Sequence, residues 1–102
     1  TPQALGALAA LAQAHRLAVF RLLIEHAPTG LAAGDIAERL ELSPATLSFH
    51  LKELSHSGLI TGRQDGRFIY YAANFTVMNA MVAYLTENCC GGNPDACMPA
   101  NK

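Results

Sequence analysis

Apolar residues recur at helical spacing over the first quarter of the chain. Residues 3–13 are rich in alanine and leucine, and residues 14–26 repeat apolar side chains at spacings of three and four. Because an α-helix has about 3.6 residues per turn, this spacing places the apolar side chains on one face. The two faces consist of Leu5, Leu8 and Leu11, and of Leu17, Phe20, Leu23 and Ile24. The pattern predicts two helices, the second of which ends where Pro28 and Gly30 interrupt it.

Two more helices are predicted on either side of a tight turn at residues 41–43. The first covers residues 33–40, and the second begins at Ser43 and Pro44. The Ser43 hydroxyl can accept a hydrogen bond from an unpaired N–H at the helix start, and proline suits the first helical position. Gly58 is placed to end this helix in a left-handed conformation. The inner face of the second helix consists of Leu47, Leu51 and Leu54. Two short helices joined in this way are typical of a helix-turn-helix.

The residues after Gly58 have the pattern of a β-hairpin followed by a helix. Strands are predicted over 59–63 and 67–72, and the Asp65-Gly66 pair between them is typical of a hairpin turn. Asn74 is then placed to cap a last helix. The apolar face of that helix consists of Phe75, Met78, Met81, Val82 and Leu85.

These elements predict a mainly α fold with a small β-hairpin, namely a winged helix-turn-helix of about five helices and two strands. At 102 residues the chain is long enough for one domain. We expect residues 1–88 to form a DNA-binding and dimerisation domain and residues 89–102 to form a cysteine-bearing tail. No apolar run approaches the roughly 18 to 20 residues that span a bilayer, and no export signal is recognisable. We therefore expect a cytoplasmic protein without a membrane partner.

The outer face of the second helix of the motif carries the candidate DNA contacts. In a helix-turn-helix the N-terminal residues of this helix meet base edges in the major groove, while cations contact phosphates. Hydroxyl groups can serve any base edge, and apolar groups can pack on a thymine methyl. Two candidates have a second interpretation: Phe49 could pack on a neighbouring side chain, and His50 could be a core-edge histidine with a satisfied hydrogen bond. The candidates are Ser43, Ala45, Thr46, Ser48, Phe49, His50, Lys52, Arg63 and Arg67.

Charge and composition limit the classes of function. The net charge of −1 and the pI of about 6.4 permit nucleic-acid binding without favouring it. The hydrophobic content of 51% and the mean hydropathy of +0.19 favour burial of apolar surface against a partner. The sequence contains neither a recognisable nucleophile–base–orienter trio nor a cofactor motif. We therefore expect a protein that is not an enzyme and needs no organic cofactor.

The chain resembles the ArsR/SmtB family of metal- and metalloid-responsive repressors. The pattern Leu-Ser-x-x-x-x-Ser-x-His-Leu-x-x-Leu-x-x-x-Gly-Leu covers residues 42–59, and Gly66-Arg67-x-x-Tyr70-Tyr71 follows it. The resemblance implies a homodimer that pairs through its first and last helices. It also implies a repressor that holds double-stranded operator DNA when free of inducer and releases it when loaded.

The usual sensor residues of this family are absent. Arsenic-responsive members often carry Cys-Val-Cys in the first helix of the motif, whereas residues 33–38 contain no thiol. Zinc-responsive members carry Asp/His and His/Glu pairs on the last helix, which here offers Asn74, Asn79 and Glu87 and no histidine. The position before His50, often arginine in the family, is Phe49, which leaves the operator preference open.

We therefore expect the sensor site at the cysteines that follow the last helix. An odd number of cysteines in so short a segment does not fit a disulfide framework. Three thiolates without a nearby histidine favour a soft centre. Trivalent arsenic or antimony takes three sulfurs in a pyramid, whereas structural zinc needs a fourth ligand. We predict As(III) or Sb(III), inorganic or methylated, as the inducer, bound by Cys89, Cys90 and Cys97.

Other interpretations of the cysteines stay open at this point. Lead or cadmium is soft enough to bind the same thiols, and a dithiol–disulfide redox switch needs no metal at all. The tail could also be functionally silent. A different class of function is a soft-metalloid carrier that does not bind DNA and uses the winged fold as a protein-docking surface.

Overall fold

The computed structural model describes residues 2–92, which form five α-helices and a small sheet. The chain begins with two helices, α1 and α2, and a short strand leads into the helix-turn-helix, α3 and α4. A hairpin of β2 and β3 follows and leads into α5 and a final 3-10 turn. The elements are α1 Pro2–Leu11, α2 Ala14–Glu25, β1 Leu31–Ala32, α3 Ala33–Leu40, α4 Pro44–His56, β2 Ile60–Asp65, β3 Phe68–Ala73, α5 Phe75–Leu85 and the turn Cys89–Gly92.

Side-chain caps explain where three of the helices begin. Ser43 Oγ accepts a hydrogen bond from the Thr46 N–H at 3.2 Å, and Asn74 Oδ1 accepts one from the Thr76 N–H at 3.1 Å. Both caps were predicted from the sequence. Gln13 was placed inside the first helix, but α1 ends at Leu11 and Gln13 Oε1 instead accepts from the Arg16 N–H at 2.9 Å. Gln13 therefore begins α2, because its amide oxygen satisfies an N–H that has no partner within the helix.

The sheet has three strands rather than the predicted two. Its order is β1-β3-β2 with antiparallel neighbours, and Leu31 pairs with Tyr71. A two-stranded hairpin leaves the outer edge of β3 with unpaired N–H and C=O groups, which are a template for another strand. The added strand has only two residues, which is too short to show an alternating pattern in the sequence.

The first hairpin strand reaches two residues further toward the turn than predicted, and the second begins one residue later, at Phe68. Asp65 pairs with Phe68, so the loop consists of Gly66 and Arg67 alone. Gly66 has φ +65, and a positive φ at the first loop residue is what a type II′ turn needs. The turn therefore places Arg67 at the tip of the hairpin, which we call the wing (residues 60–73).

The core lies where α2, α3, α4 and the base of the sheet meet. Leu54 and Leu59 have no exposed surface, and α1 packs on both α2 and α5. Within the described residues no single helix is long and apolar enough to cross a membrane. Only α1 and α2 taken together, bent by 102°, reach that length and composition. The most deeply buried large side chains are Val19, Leu23, Ile36, Leu47, Leu54, Leu59 and Ile60.

Candidate nucleic-acid interface

A tight left-handed turn sets α4 against α3. Glu41 has φ +55, and the Leu42 N–H donates to the Ala37 carbonyl oxygen at 3.0 Å. A single left-handed residue closes a helix and reverses the chain within one turn. The turn lets α4 begin at Pro44 with its first residues clear of the core.

The N-terminal half of α4 presents small and polar side chains to solvent. Leu47 and Leu51 point inward and are 2% and 3% exposed. Ser48 and Phe49, which follow Leu47, point outward, because successive helical positions turn by about 100°. This face fits the major groove, where a recognition helix brings short side chains to base edges. The exposed candidates on this face are Ser43, Ala45, Thr46, Ser48, Phe49 and Lys52.

Phe49 remains largely uncovered. Its side chain is 56% exposed, and its ring meets the His50 ring at a centroid distance of 5.5 Å in an edge geometry. The contact with His50 agrees with the interpretation that Phe49 packs on a neighbouring side chain, but it leaves more than half of Phe49 exposed. An exposed phenyl ring on this face can pack on a thymine methyl, and Phe49 stays among the proposed base contacts.

His50, the next residue in the chain, is buried. It is 6% exposed and lies beside His15 of α2, with the two ring centroids 5.6 Å apart. Helical geometry puts it on the inner face with Leu47 and Leu51, so it offers DNA no surface and is removed from the proposed contacts. Among the described residues the buried Nδ1 of His50 has no hydrogen-bond partner.

The surroundings of His50 oppose its protonation. Burial lowers the pKa of His50 below its ordinary value of 6.5, and the positive charges of Arg16 and His15 lower this pKa further. The neutral ring is therefore the form that fits between α2 and α4. Because the unfolded chain then binds a proton more readily than the folded chain, acid must favour unfolding.

We expect the free energy of unfolding to fall as the pH drops below about 6.5, until the pH reaches the lowered pKa of folded His50. Urea unfolding measured from about pH 7.5 to about pH 5 checks this dependence. His50→Gln should flatten the slope, and His56→Gln, a change of an exposed histidine on the same helix, should not. An unchanged slope in His50→Gln would contradict the assignment.

Three exposed cations lie on α4 and the wing. The Arg63 guanidinium carbon lies 5.3 Å from the centroid of the Tyr70 ring, a cation–π contact that holds the side chain on β2. Arg67 is at the wing tip and Lys52 is one turn beyond Ser48. The contribution of Tyr70 was not recognised from the sequence, although its place opposite Arg63 follows from the register of the hairpin.

Cys89 and Cys90 follow α5 in the chain and belong to the final 3-10 turn. The Sγ atoms of Cys89 and Cys90 lie 3.8 Å apart, Cys90 has a left-handed backbone with φ +54, and Cys90 is disulfide-bonded. For comparison, two thiolates on one tetrahedral zinc ion, each about 2.3 Å from the metal, are about 3.8 Å apart. The separation is therefore one that a single soft centre can bridge once both sulfurs are reduced. Cys97, the third predicted ligand, lies outside the described residues.

Comparison with known proteins agrees with this architecture. A family model for a helix-turn-helix domain matches residues 11–63. The transcriptional activator HlyU of Vibrio cholerae is 33% identical over 86 residues, which cover 84% of this chain and 77% of HlyU. The arsenical resistance operon repressor of Bacillus subtilis is 33% identical over 92 residues, which cover 86% of this chain and 84% of the repressor.

Solved structures are similar over most of the chain. Reduced HlyU from Vibrio cholerae superposes with a TM-score of 0.65 at 32% identity, covering 87% of this chain and 90% of HlyU. A homodimeric winged helix-turn-helix DNA-binding domain from Mycobacterium bovis, described as a possible ArsR-family regulator, has a TM-score of 0.69 at 25% identity. That match covers 90% of this chain and 85% of the other.

Proposed function

Since this chain belongs to the ArsR/SmtB family of winged helix-turn-helix transcription regulators, we propose that it is a homodimeric repressor whose inducer is trivalent arsenic or antimony. The inducer binds Cys89, Cys90 and Cys97 and releases the protein from operator DNA. The observation that carries the sensor assignment is the position of the cysteines. Cys89 and Cys90 lie within five residues of the end of α5, the helix that packs on α1.

The DNA contacts divide into base and phosphate contacts. The hydroxyl groups of Ser43, Thr46 and Ser48, with Ala45 and Phe49, meet base edges from the exposed face of α4. Lys52, Arg63 and Arg67 contact phosphates. Two copies of α4 then read successive major grooves about 34 Å apart on one side of the duplex.

The dimer forms through α1 and α5. Both helices keep large apolar side chains in contact with solvent in the single chain: Leu5 is 67% exposed and Leu85 is 57% exposed. Val82 and Tyr84 on α5 are also close to half exposed. Exposed apolar surface of this kind on a small domain favours burial against a partner, here a second copy.

Sensor and DNA are coupled through α5. Arsenite replaces its three hydroxyl groups by three cysteine sulfurs, and each new As–S bond releases one water. The three bonds tie the tail to the end of the dimer helix, shift that helix and change the spacing of the two α4 helices. Release requires the inducer to bind the DNA-free protein more tightly than the DNA-bound protein, by a coupling free energy of about 1–3 kcal/mol.

Arsenite should weaken operator binding by about 5-fold to 150-fold, the range that this coupling gives. The measurement is fluorescence anisotropy of a duplex selected from a random library, with the chain fully reduced by a phosphine. X-ray absorption on the arsenic-loaded protein should find three sulfur neighbours. Two sulfurs would limit the site to two of the three thiols.

The triple Cys89→Ser, Cys90→Ser, Cys97→Ser variant should bind the same duplex and ignore arsenite. Glu87→Ser is the matched control, because it changes an exposed residue beside the site without removing a thiol. If the triple variant is released by arsenite as the wild type is, the sensor assignment is wrong. If neither protein binds any duplex, the repressor function itself fails.

Thiol redox sensing is the second candidate, and the disulfide at Cys90 favours it. In that case oxidation of the thiols alone changes the affinity for DNA, and arsenite acts only by binding the reduced thiols. The two candidates separate when the oxidised and reduced proteins are compared without arsenite. Equal affinities support the metalloid sensor, and a lower affinity of the oxidised protein supports the redox sensor.

A further inference from the structure

A cleft separates the helix-turn-helix from the wing. It has a volume of about 400 Å³ and lies between α3, the first half of α4 and the start of β3. Ligand pockets for small molecules begin at about 300 Å³. The cleft is distinct from the cysteines, which follow α5.

Small side chains on α3 keep the cleft open. Ala33, Gly34 and Ala37 form its α3 side. A Cβ atom built on Gly34 meets no atom within 4 Å, so the space in front of this glycine is empty. The packing of the core does not require that space, because Leu47 and Leu51 at the base of the cleft are already buried.

The opposite side is apolar and exposed. Ile69 and Tyr71 line this side from one face of β3, because they are two positions apart, and Ile69 is 43% exposed. Apolar side chains that stay in contact with water cost free energy that a bound molecule could recover. An occupant with an aromatic or aliphatic body is therefore favoured.

The lining of the cleft also includes polar side chains. Arg67 is the one charged side chain among the described residues that line it, and Ser48 adds a hydroxyl group. No carboxylate among the described lining residues opposes a negative charge. The cleft therefore favours an occupant with a negative charge, which complements the positive charge of Arg67.

We propose that this cleft is a binding site for a small, mostly apolar organic anion. Its body packs on Ile69 and Tyr71, and its acidic group pairs with Arg67. Because Ser48 and Arg67 are also proposed DNA contacts, the ligand and operator DNA exclude each other. That consequence rests on the proposed function, whereas binding to the DNA-free chain does not.

The test uses 1-anilinonaphthalene-8-sulfonate as the probe, titrated into the reduced, DNA-free protein and followed by its fluorescence and by amide NMR shifts. We expect the shifts to centre on residues 33–37, 47–51 and 67–71. Gly34→Leu fills the cleft and should weaken binding by about tenfold or more. Arg67→Gln should weaken binding by several-fold and remove most of its salt dependence.

Ser55→Leu is the control, because it adds a leucine side chain at an exposed position of α4 that does not line the cleft. It should bind the probe as the wild type does. Equal affinity of Gly34→Leu and Ser55→Leu would overturn the proposal, as would shifts centred on α1 and α5. Because no DNA or arsenite is present, a failure here is separate from a failure of the repressor function.

Discussion

Replacing Gly30 with alanine should lower the free energy of unfolding by more than about 3 kcal/mol, a loss in the range of severe single substitutions. Gly30 has φ +84, and a Cβ atom there would lie 2.0 Å from the Tyr71 carbonyl oxygen and 2.7 Å from its carbon. The obstacle is backbone, so no side-chain rotation relieves it. The clash must separate β1 from β3 and loosen the base of the wing.

Urea unfolding followed by circular dichroism checks this expectation. Gly58→Ala is a close control, because Gly58 also has φ +84 but its added Cβ meets only the two Val77 methyl groups, at 3.5 and 4.0 Å. It isolates the cost of left-handed backbone, which is about 1–2 kcal/mol for a residue with a Cβ. If Gly30→Ala is no less stable than Gly58→Ala, the close approach of Gly30 to Tyr71 is not the constraint inferred here.

The double variant Lys52→Gln, Arg67→Gln should lose operator affinity by about 100-fold or more at physiological salt. Each protomer loses two exposed cations, one on α4 and one at the wing tip. If all four positions of the dimer contact phosphates, the slope of log affinity against log salt should fall by about 3.6. A stability measurement should show little change, since neither side chain is part of the core.

Fluorescence anisotropy at several salt concentrations gives both affinity and slope. Arg21→Gln serves as the control, because it removes an exposed charge from α2 that is not among the proposed DNA contacts, and it should leave the slope unchanged. Equal losses in the double variant and in the control would argue against DNA contact by α4 and the wing. A chain that binds arsenite but no duplex at all would instead be a metalloid carrier.

Local signals in the sequence were sufficient for most of the elements. The N-caps at Ser43 and Asn74 and the left-handed Gly58 lie where they were predicted, because each depends on residues within one helical turn. The helix over 33–40 has the predicted bounds. Family membership was also predicted correctly from the motif at residues 42–59 and is confirmed by the comparisons.

Other features could not be predicted because they depend on segments far apart in the chain. Leu31 and Ala32 form a strand only because the edge of β3 beside them is open for pairing. His50 and Phe49 are neighbours in sequence, yet the position of α2 buries one and leaves the other exposed. The DNA contacts and the three-thiol site remain predictions that the experiments above address.

The sequence by itself determined the kinds of elements, their order and the chemistry of the exposed α4 face, since these follow from local spacing and capping. The tertiary structure decided which of those side chains reach solvent, added a third strand and opened a cleft between α3 and the wing. The physical reason is that burial and empty space are properties of packed surfaces. A packed surface is formed by several segments together, so the pattern of hydrophobic and polar residues in any one segment does not predict it.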